Sequence, residues 1–198
     1  YTDAKSDFVK KYQDVTPLVT TTFQIWPKYW GPPEQNPTLT AELDLIGENK
    51  RVLEIGPGGG HMTEALSQRG CKVTSIEVDP ISAARVKLYC ERLLVGDIEQ
   101  LDLDSELRNE SFDAILLGDV LEHLKDPAKV LQKIKPLLSP SGYLVVSLPN
   151  VAHASIRLAL HMGEFNYTDT GLLDRTHLRF FTLKTILSLF RETGYEIR

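Results

Sequence analysis

Four glycines directly after a short apolar run, and a carboxylate 17 residues beyond the last of them, are the residues of this chain best suited to chemistry. The run is Val52-Leu53-Glu54-Ile55-Gly56-Pro57-Gly58-Gly59-Gly60. Glycines at that point let the backbone turn tightly after a strand and approach a ligand closely. A helix opening there presents unpaired N–H groups and its positive end, which suits an anion or a nucleotide-type cofactor. A dinucleotide fingerprint counted from Gly56 would need its third glycine at position 61, which is His61. A Walker loop would need Lys-Ser/Thr after its last glycine, and neither follows. What remains is Glu54-x-Gly56-x-Gly58-x-Gly60. The carboxylate, Glu77, closes Ser75-Ile76-Glu77-Val78-Asp79-Pro80. A carboxylate at a strand's carboxyl end can accept hydrogen bonds from two ribose hydroxyls, whereas Asp79 suits a helix cap.

This pattern is similar to the first motif of the class I S-adenosylmethionine-dependent methyltransferases. Val95-Gly96-Asp97-Ile98 follows where that family places an acid near the adenine amino group. Phe112 through Gly118-Asp119-Val120-Leu121-Glu122-His123-Leu124 then resembles its fourth strand and turn, in the small-molecule methyltransferases of the ubiquinone-biosynthesis type. The resemblance runs from Arg51 to Arg198. It implies S-adenosylmethionine as cofactor and S-adenosylhomocysteine as product. It assigns cofactor contacts to Glu54, Gly56, Pro57, Gly58, Gly60, Glu77, Val78, Asp97, Ile98, Gly118, Asp119 and Val120.

Methyl transfer is an in-line displacement, so the protein must align nucleophile and methyl and remove a proton from a hydroxyl acceptor. Histidine suits a base at neutral pH. Of the five histidines, His123 and His153 follow the fourth and fifth strands, and His177 lies in a polar, aromatic run from Gly163 to Thr182. These three are the candidates for catalysis; His61 reads as a cofactor neighbour and His161 as structural or exposed. Relatives resembling this chain carry an Asp-Arg-Thr-His-x-Arg-Phe-Phe-Thr run like that of Asp174–Thr182, and several belong to glycan or natural-product pathways. Tyr167, Arg175 and Arg179 are therefore expected at the substrate, unless the arginines merely pair with carboxylates of their own loop. Tyr29 and Trp30, beside Trp26, are expected as a lid over the acceptor or as simple packing.

The expected reaction is methylation of an oxygen on a small-molecule or sugar-containing acceptor. The alternatives are N-methylation, a cofactor-binding module without turnover, and an NAD-dependent dehydrogenase, against which His61 argues.

Positioning these residues requires a sheet. Apolar strands at Arg51–Ile55, Lys72–Val78, Arg92–Val95, Phe112–Gly118 and Tyr143–Leu148 alternate with helical patterns at Met62–Arg69, Pro80–Tyr89, Val130–Leu138 and Thr182–Arg191. That alternation predicts an α/β, doubly wound, mostly parallel Rossmann-like sheet with helices on both faces, binding its ligand at the strands' carboxyl ends. Residues 1–50 read as a helical and irregular cap, with helices at Tyr1–Tyr12 and Pro37–Ile46, β-branched residues at Val15–Thr22 and an Asn36 cap. Residues 51–198 read as the methyltransferase domain. A sixth strand is expected from Tyr195, with the native polypeptide continuing past Arg198.

Composition narrows the partners. A net charge of −5 argues against nucleic acid. Cys71 and Cys90 have no metal-type spacing, so no metal is expected and the thiols suit a reducing compartment. With no apolar run near the roughly 20 residues of a membrane span, and a polar Tyr1–Lys11, the expected location is the cytoplasm. The oligomeric state has no signature in the sequence.

Overall fold

The computed structural model describes residues 37–197. The readings at Tyr1–Tyr12, Val15–Thr22, Trp26, Tyr29, Trp30 and Asn36 fall outside the described residues.

Five strands form one sheet, β1 (Arg51–Ile55), β2 (Lys72–Glu77), β3 (Arg92–Val95), β4 (Phe112–Gly118) and β5 (Leu138–Ser147). The order is β3-β2-β1-β4-β5 and each neighbouring pair is parallel. The chain starts at the centre with β1, walks to one edge through β2 and β3, then returns to β4 on the other side. This reversal between β1 and β4 opens a crevice at the strands' carboxyl ends. The doubly wound α/β prediction is met.

Alternation along β1 divides the core. Leu53 and Ile55 enter a cluster with Ile115, Leu117, Val130, Leu131 and Phe190 on one face. Val52 joins Leu43, Ile46, Met62 and Leu66 on the other. The second face is covered by α1 (Pro37–Ile46) and α2 (His61–Gln68), as Leu43, Ile46, Met62 and Leu66 show. The first is covered by α5 (Pro127–Ile134) and α7 (Leu183–Glu192), which supply Val130, Leu131, Ile186 and Phe190. Two-sided burial explains why the strands read as continuous apolar runs.

Helix starts follow side-chain caps. Asp79 accepts from the Ile81 and Ser82 amides and opens α3 (Pro80–Val86), as its position before a proline suggested. Asp126 does the same for α5 through the Lys129 amide, so that helix starts at Pro127, earlier than Val130. Thr182 and Thr185 form a reciprocal box at the start of α7. The chain also forms a short α4 (Leu103–Glu106) and α6 (Ala154–His161).

Further boundaries differ from the sequence reading. The α3 helix ends at Val86 rather than Tyr89. A tight turn at Lys135–Leu137, with Pro136 in it, ends α5. The fifth strand begins at Leu138, which pairs with Phe112, loses register over the next residues and resumes with Tyr143 opposite Ala114. The Ser-Pro-Ser-Gly sequence at that irregularity reads as a turn, which hid the strand's first part. The expected sixth strand is not formed at residues 195–197. Tyr195 instead folds back onto the helices, its hydroxyl donating to the Leu131 carbonyl at 2.8 Å and its ring meeting Phe190 edge-on. Among the described residues no helix is long and apolar enough to cross a membrane.

Candidate functional site

The crevice at the reversal point is a cavity of about 540 Å³, a size ordinary for small-molecule sites. Its lining comes from the ends of four strands. The loop after β1 gives Gly56, Pro57, Gly58 and Gly59; β2 gives Glu77 and Val78; the loop after β3 gives Gly96, Asp97 and Ile98; and the end of β4 gives Gly118, Asp119 and Val120.

The glycine loop turns because three of its glycines adopt left-handed backbone: Gly56 at φ 67°, Gly58 at 54° and Gly60 at 79°. At Gly56 a side chain is also excluded by space, since a Cβ would stand 2.9 Å from a Val120 methyl. Gly60 does not line the cavity; its amide closes the turn onto the Pro57 carbonyl at 3.0 Å and it caps α2.

Glu77 ties the loop to β2. One carboxylate oxygen accepts from the Gly58 amide at 2.9 Å and the other from the Asp79 amide at 2.8 Å. The anion held by the loop is thus the protein's own carboxylate. Each oxygen keeps a further lone pair, the acceptor capacity that a ribose diol requires. Asp97 uses one oxygen on the Glu99 amide at 2.8 Å and so folds its own turn at the cavity wall. Apolar Ile98, Val120 and Leu39 stand between these polar groups. A ribose-bearing, partly apolar cofactor fits this arrangement.

Glu54 is elsewhere. It is buried beneath the loop, accepts from the Thr63 hydroxyl at 2.6 Å and does not line the cavity, which corrects its assignment as a cofactor contact. Burial raises its carboxyl to about 7, partly offset by Thr63 and Ser75.

The histidines separate by place. His123 lines the cavity, on the turn Leu121–His123 that follows β4. Its Nδ1 lies 3.2 Å from the Thr176 carbonyl. His177 is buried behind it, the rings edge to face at 4.9 Å, with Nε2 3.9 Å from a Glu122 carboxylate oxygen. One atom from each of Glu122, His123 and His177 lies within 4.8 Å of the others, a set able to hold a divalent cation that sequence spacing did not reveal. His153 is not brought to the cavity: its Nδ1 accepts from the Ser155 amide and so caps α6. His61 lines the cavity.

Of the expected substrate residues, none among those described lines the cavity. Tyr167 is exposed and meets exposed Phe165 and half-buried Phe180 in an aromatic group. Arg175 pairs with Asp169 of its own loop at 2.8 Å, both side chains exposed. Arg179 donates to the Lys125 carbonyl at 2.5 Å, while the Leu178 and Arg179 amides donate to the Glu122 carbonyl. The loop therefore clamps the His123 turn. Sequence reasoning missed Leu39, Glu99 and Lys125 as lining residues. Glu99 had no motif to mark it, yet its carboxylate accepts from the Lys125 and Asp126 amides and joins the β3 and β4 loops.

Comparison with known proteins agrees with this geometry. A family model described as a methyltransferase domain matches residues 33–198. A ubiquinone biosynthesis O-methyltransferase of Histophilus somni is 31% identical over 157 residues, 70% of this chain and 66% of that protein. Its counterpart from Actinobacillus pleuropneumoniae serotype 7 is 37% identical over 124 residues, 59% of this chain and 53% of that protein. The chain thus spans between about half and two thirds of these relatives. A Thermotoga maritima crystal structure, of a SAM-dependent methyltransferase described as a possible histamine N-methyltransferase, superposes with a TM-score of 0.61 at 25% identity, covering 80% of this chain and 70% of that one.

Proposed function

The chain belongs to the methyltransferase-domain family, and from that premise we propose that it transfers a methyl group from S-adenosylmethionine to an oxygen of a small-molecule acceptor. The observation that carries this reading is the Glu77 carboxylate, fixed at the cavity wall by the Gly58 and Asp79 amides with acceptor capacity to spare. Gly56 and Gly58 let the backbone close on the cofactor, Asp97 and Ile98 take its base, and Gly118–Val120 its amino-acid end. Pro57 and Val78 complete the walls. When bound, the cofactor supplies a methyl group already activated by its sulfonium.

The chain's own residues then position the acceptor and take its proton. His123, at the cavity wall with its Nδ1 against Thr176, is the base for a hydroxyl. His177 and Glu122 hold the His123 ring in place rather than touch substrate. Tyr167 stays as an outer acceptor contact, with Arg175; Arg179 shapes the entrance through Lys125. Tyr29 and Trp30 are assigned to a cover. The ubiquinone-biosynthesis relatives favour an oxygen nucleophile; a sugar-containing acceptor belongs to the same class. Amine methylation is the second reading, which the Thermotoga description favours. Two free cysteines support a reducing, cytoplasmic setting, and residues 51–198 are read as the catalytic domain with residues 1–50 as its cap.

The test is transfer of labelled methyl from S-adenosylmethionine to a panel of phenols, sugars and amines, with His123→Ala beside the wild type. Oxygen acceptors should be labelled, and the variant should lose about 10²- to 10⁴-fold in turnover. Labelling of amines alone would select the second reading. Binding of S-adenosylhomocysteine without any transfer would leave a cofactor-binding module, and binding of NAD in its place would revive the dehydrogenase.

A further inference from the structure

Directly behind the cavity wall lies a carboxylate that the reading above does not use. Glu42, on α1, is 1% exposed, and neither of its carboxylate oxygens has a hydrogen-bond partner among the described residues. It abuts the back of Gly118: a Cβ on that glycine would stand 3.3 Å from Oε1 and 3.5 Å from Oε2. Gly118 lines the cavity, and so does Leu39, one helical turn before Glu42 on α1. A backbone without a side chain is therefore what separates this carboxylate from whatever occupies that end of the cavity.

The surroundings of Glu42 are acidic. Asp119 approaches from the loop after β4 and Glu54 from β1, while β5 supplies the Ser147 hydroxyl and α2 the Thr63 hydroxyl that serves Glu54. No cationic side chain among the described residues pairs with Glu42. Burial raises its carboxyl to about 8, moderated by the nearby Ser147 hydroxyl, which donates to Asp119 rather than to Glu42, and reinforced by Asp119 and Glu54. At neutral pH this burial favours the protonated form. A buried polar pair of oxygens left without partners is costly unless something else satisfies them.

We propose that Glu42 makes the cavity prefer a positively charged methyl donor to its neutral demethylated product, by ionising when the cation is bound and recovering its proton when the product is left. The proposal rests on the reading that the donor is S-adenosylmethionine. A nearby positive charge favours the charged form of a carboxyl, so donor binding drives the Glu42 proton to solvent. Methyl transfer removes the sulfonium charge. The cost of a buried anion then returns, the carboxylate takes a proton back from solvent, and the product loses its electrostatic hold. S-adenosylmethionine and S-adenosylhomocysteine share the α-amino and carboxylate groups, so the difference between them isolates the sulfonium.

The experiment is titration calorimetry of the full chain with each compound, in two buffers of different ionisation heat, between pH 6.5 and 8.5. The donor should release more protons than the product. The ratio of donor to product affinity should rise several-fold with pH, by at most about tenfold per unit. In Glu42→Gln both compounds should still bind, with the excess proton release gone and the ratio independent of pH. Equal proton release by the two compounds in the wild type overturns the proposal whatever the variant does. An excess that survives in a folded Glu42→Gln, as judged by its thermal transition, overturns it too. If the wild type binds neither compound, the methyltransferase reading itself falls, and the role of Glu42 with it.

Discussion

The Glu77 carboxylate accepts a hydrogen bond from the Gly58 amide at 2.9 Å, which locks the loop after β1 to the end of β2. One side chain thus shapes the loop and offers the cofactor its acceptor. Glu77→Ala should cost more than a ribose contact, because it also removes the acceptor of the part-buried Gly58 and Asp79 amide bonds, at about 1 kcal/mol for each. Affinity for S-adenosylhomocysteine, read by calorimetry, should fall by about tenfold or more. Unchanged affinity would remove Glu77 from the cofactor site.

Gly56 is constrained twice, by a φ of 67° and by Val120, whose methyl would lie 2.9 Å from a new Cβ. Gly56→Ala should lower stability by about 1–2 kcal/mol from the backbone alone, with further loss from the clash. Adding Val120→Ala should recover the clash and leave the backbone cost. Denaturant unfolding of the two single variants and the double variant measures both terms; strictly additive losses would show that the contact does not matter.

Much of the fold is legible in the sequence, and what is not legible has physical causes. Strands buried on both faces leave continuous apolar runs, so β1 to β4 are plain in the sequence. The Glu54-x-Gly56-x-Gly58-x-Gly60 pattern places the loop, but a motif does not say which way a side chain points. Alternation turns Glu54 to the face of α1 and α2, where Thr63 holds it. Leu39 and Glu42 lie on a helix before the first strand, with no spacing relationship to the glycines. The meeting of His123 with His177 joins residues 54 positions apart through tertiary packing, which short-range spacing does not encode.

Two buried carboxyls set the sign of a pH effect. Glu54 is raised to about 7 and Glu42 to about 8, each from 4.5. Between pH 4.5 and those values the unfolded chain gives up protons that the folded chain keeps. Their contribution to stability is therefore fully present below about pH 4.5 and is lost as pH rises toward 7 and 8. Glu42→Gln and Glu54→Gln should each flatten this dependence, raising Tm at pH 8 more than at pH 5. A wild-type Tm that climbs from pH 5 to 8, with both variants parallel to it, would contradict the assignment.

His153 and His123 should respond differently to the same truncation. His153 caps α6 through its contacts with the Ser155 amide and hydroxyl, at 3.3 and 2.8 Å. Its loss should cost about 1 kcal/mol of stability, as caps do, and leave turnover within about twofold. His123→Ala should instead spare stability and lower turnover, with donor affinity little changed. If His153→Ala were the variant to lose turnover at full stability, the base would be His153.

The two arginines of the loop before α7 make the last contrast. Arg175 pairs with Asp169 where both side chains are exposed, a pair whose energy is small and screened by salt. Arg179 reaches across to the Lys125 carbonyl, and with the Leu178 and Arg179 amides on Glu122 it holds the loop to the turn that carries His123. Arg175→Ala should therefore change neither stability nor donor binding measurably. Arg179→Ala should release the Lys125 carbonyl, loosen the His123 turn and lower kcat more than it weakens donor binding. A charge-assisted bond to a carbonyl is worth about 1.5–3 kcal/mol, so a kcat loss of about tenfold is expected. Arg179→Lys, which keeps the charge without the guanidinium's reach and fixed fork, should recover only part of it. If Arg175→Ala lowered kcat more than Arg179→Ala, the loop would act chiefly through its outer acceptor contacts rather than through its hold on His123.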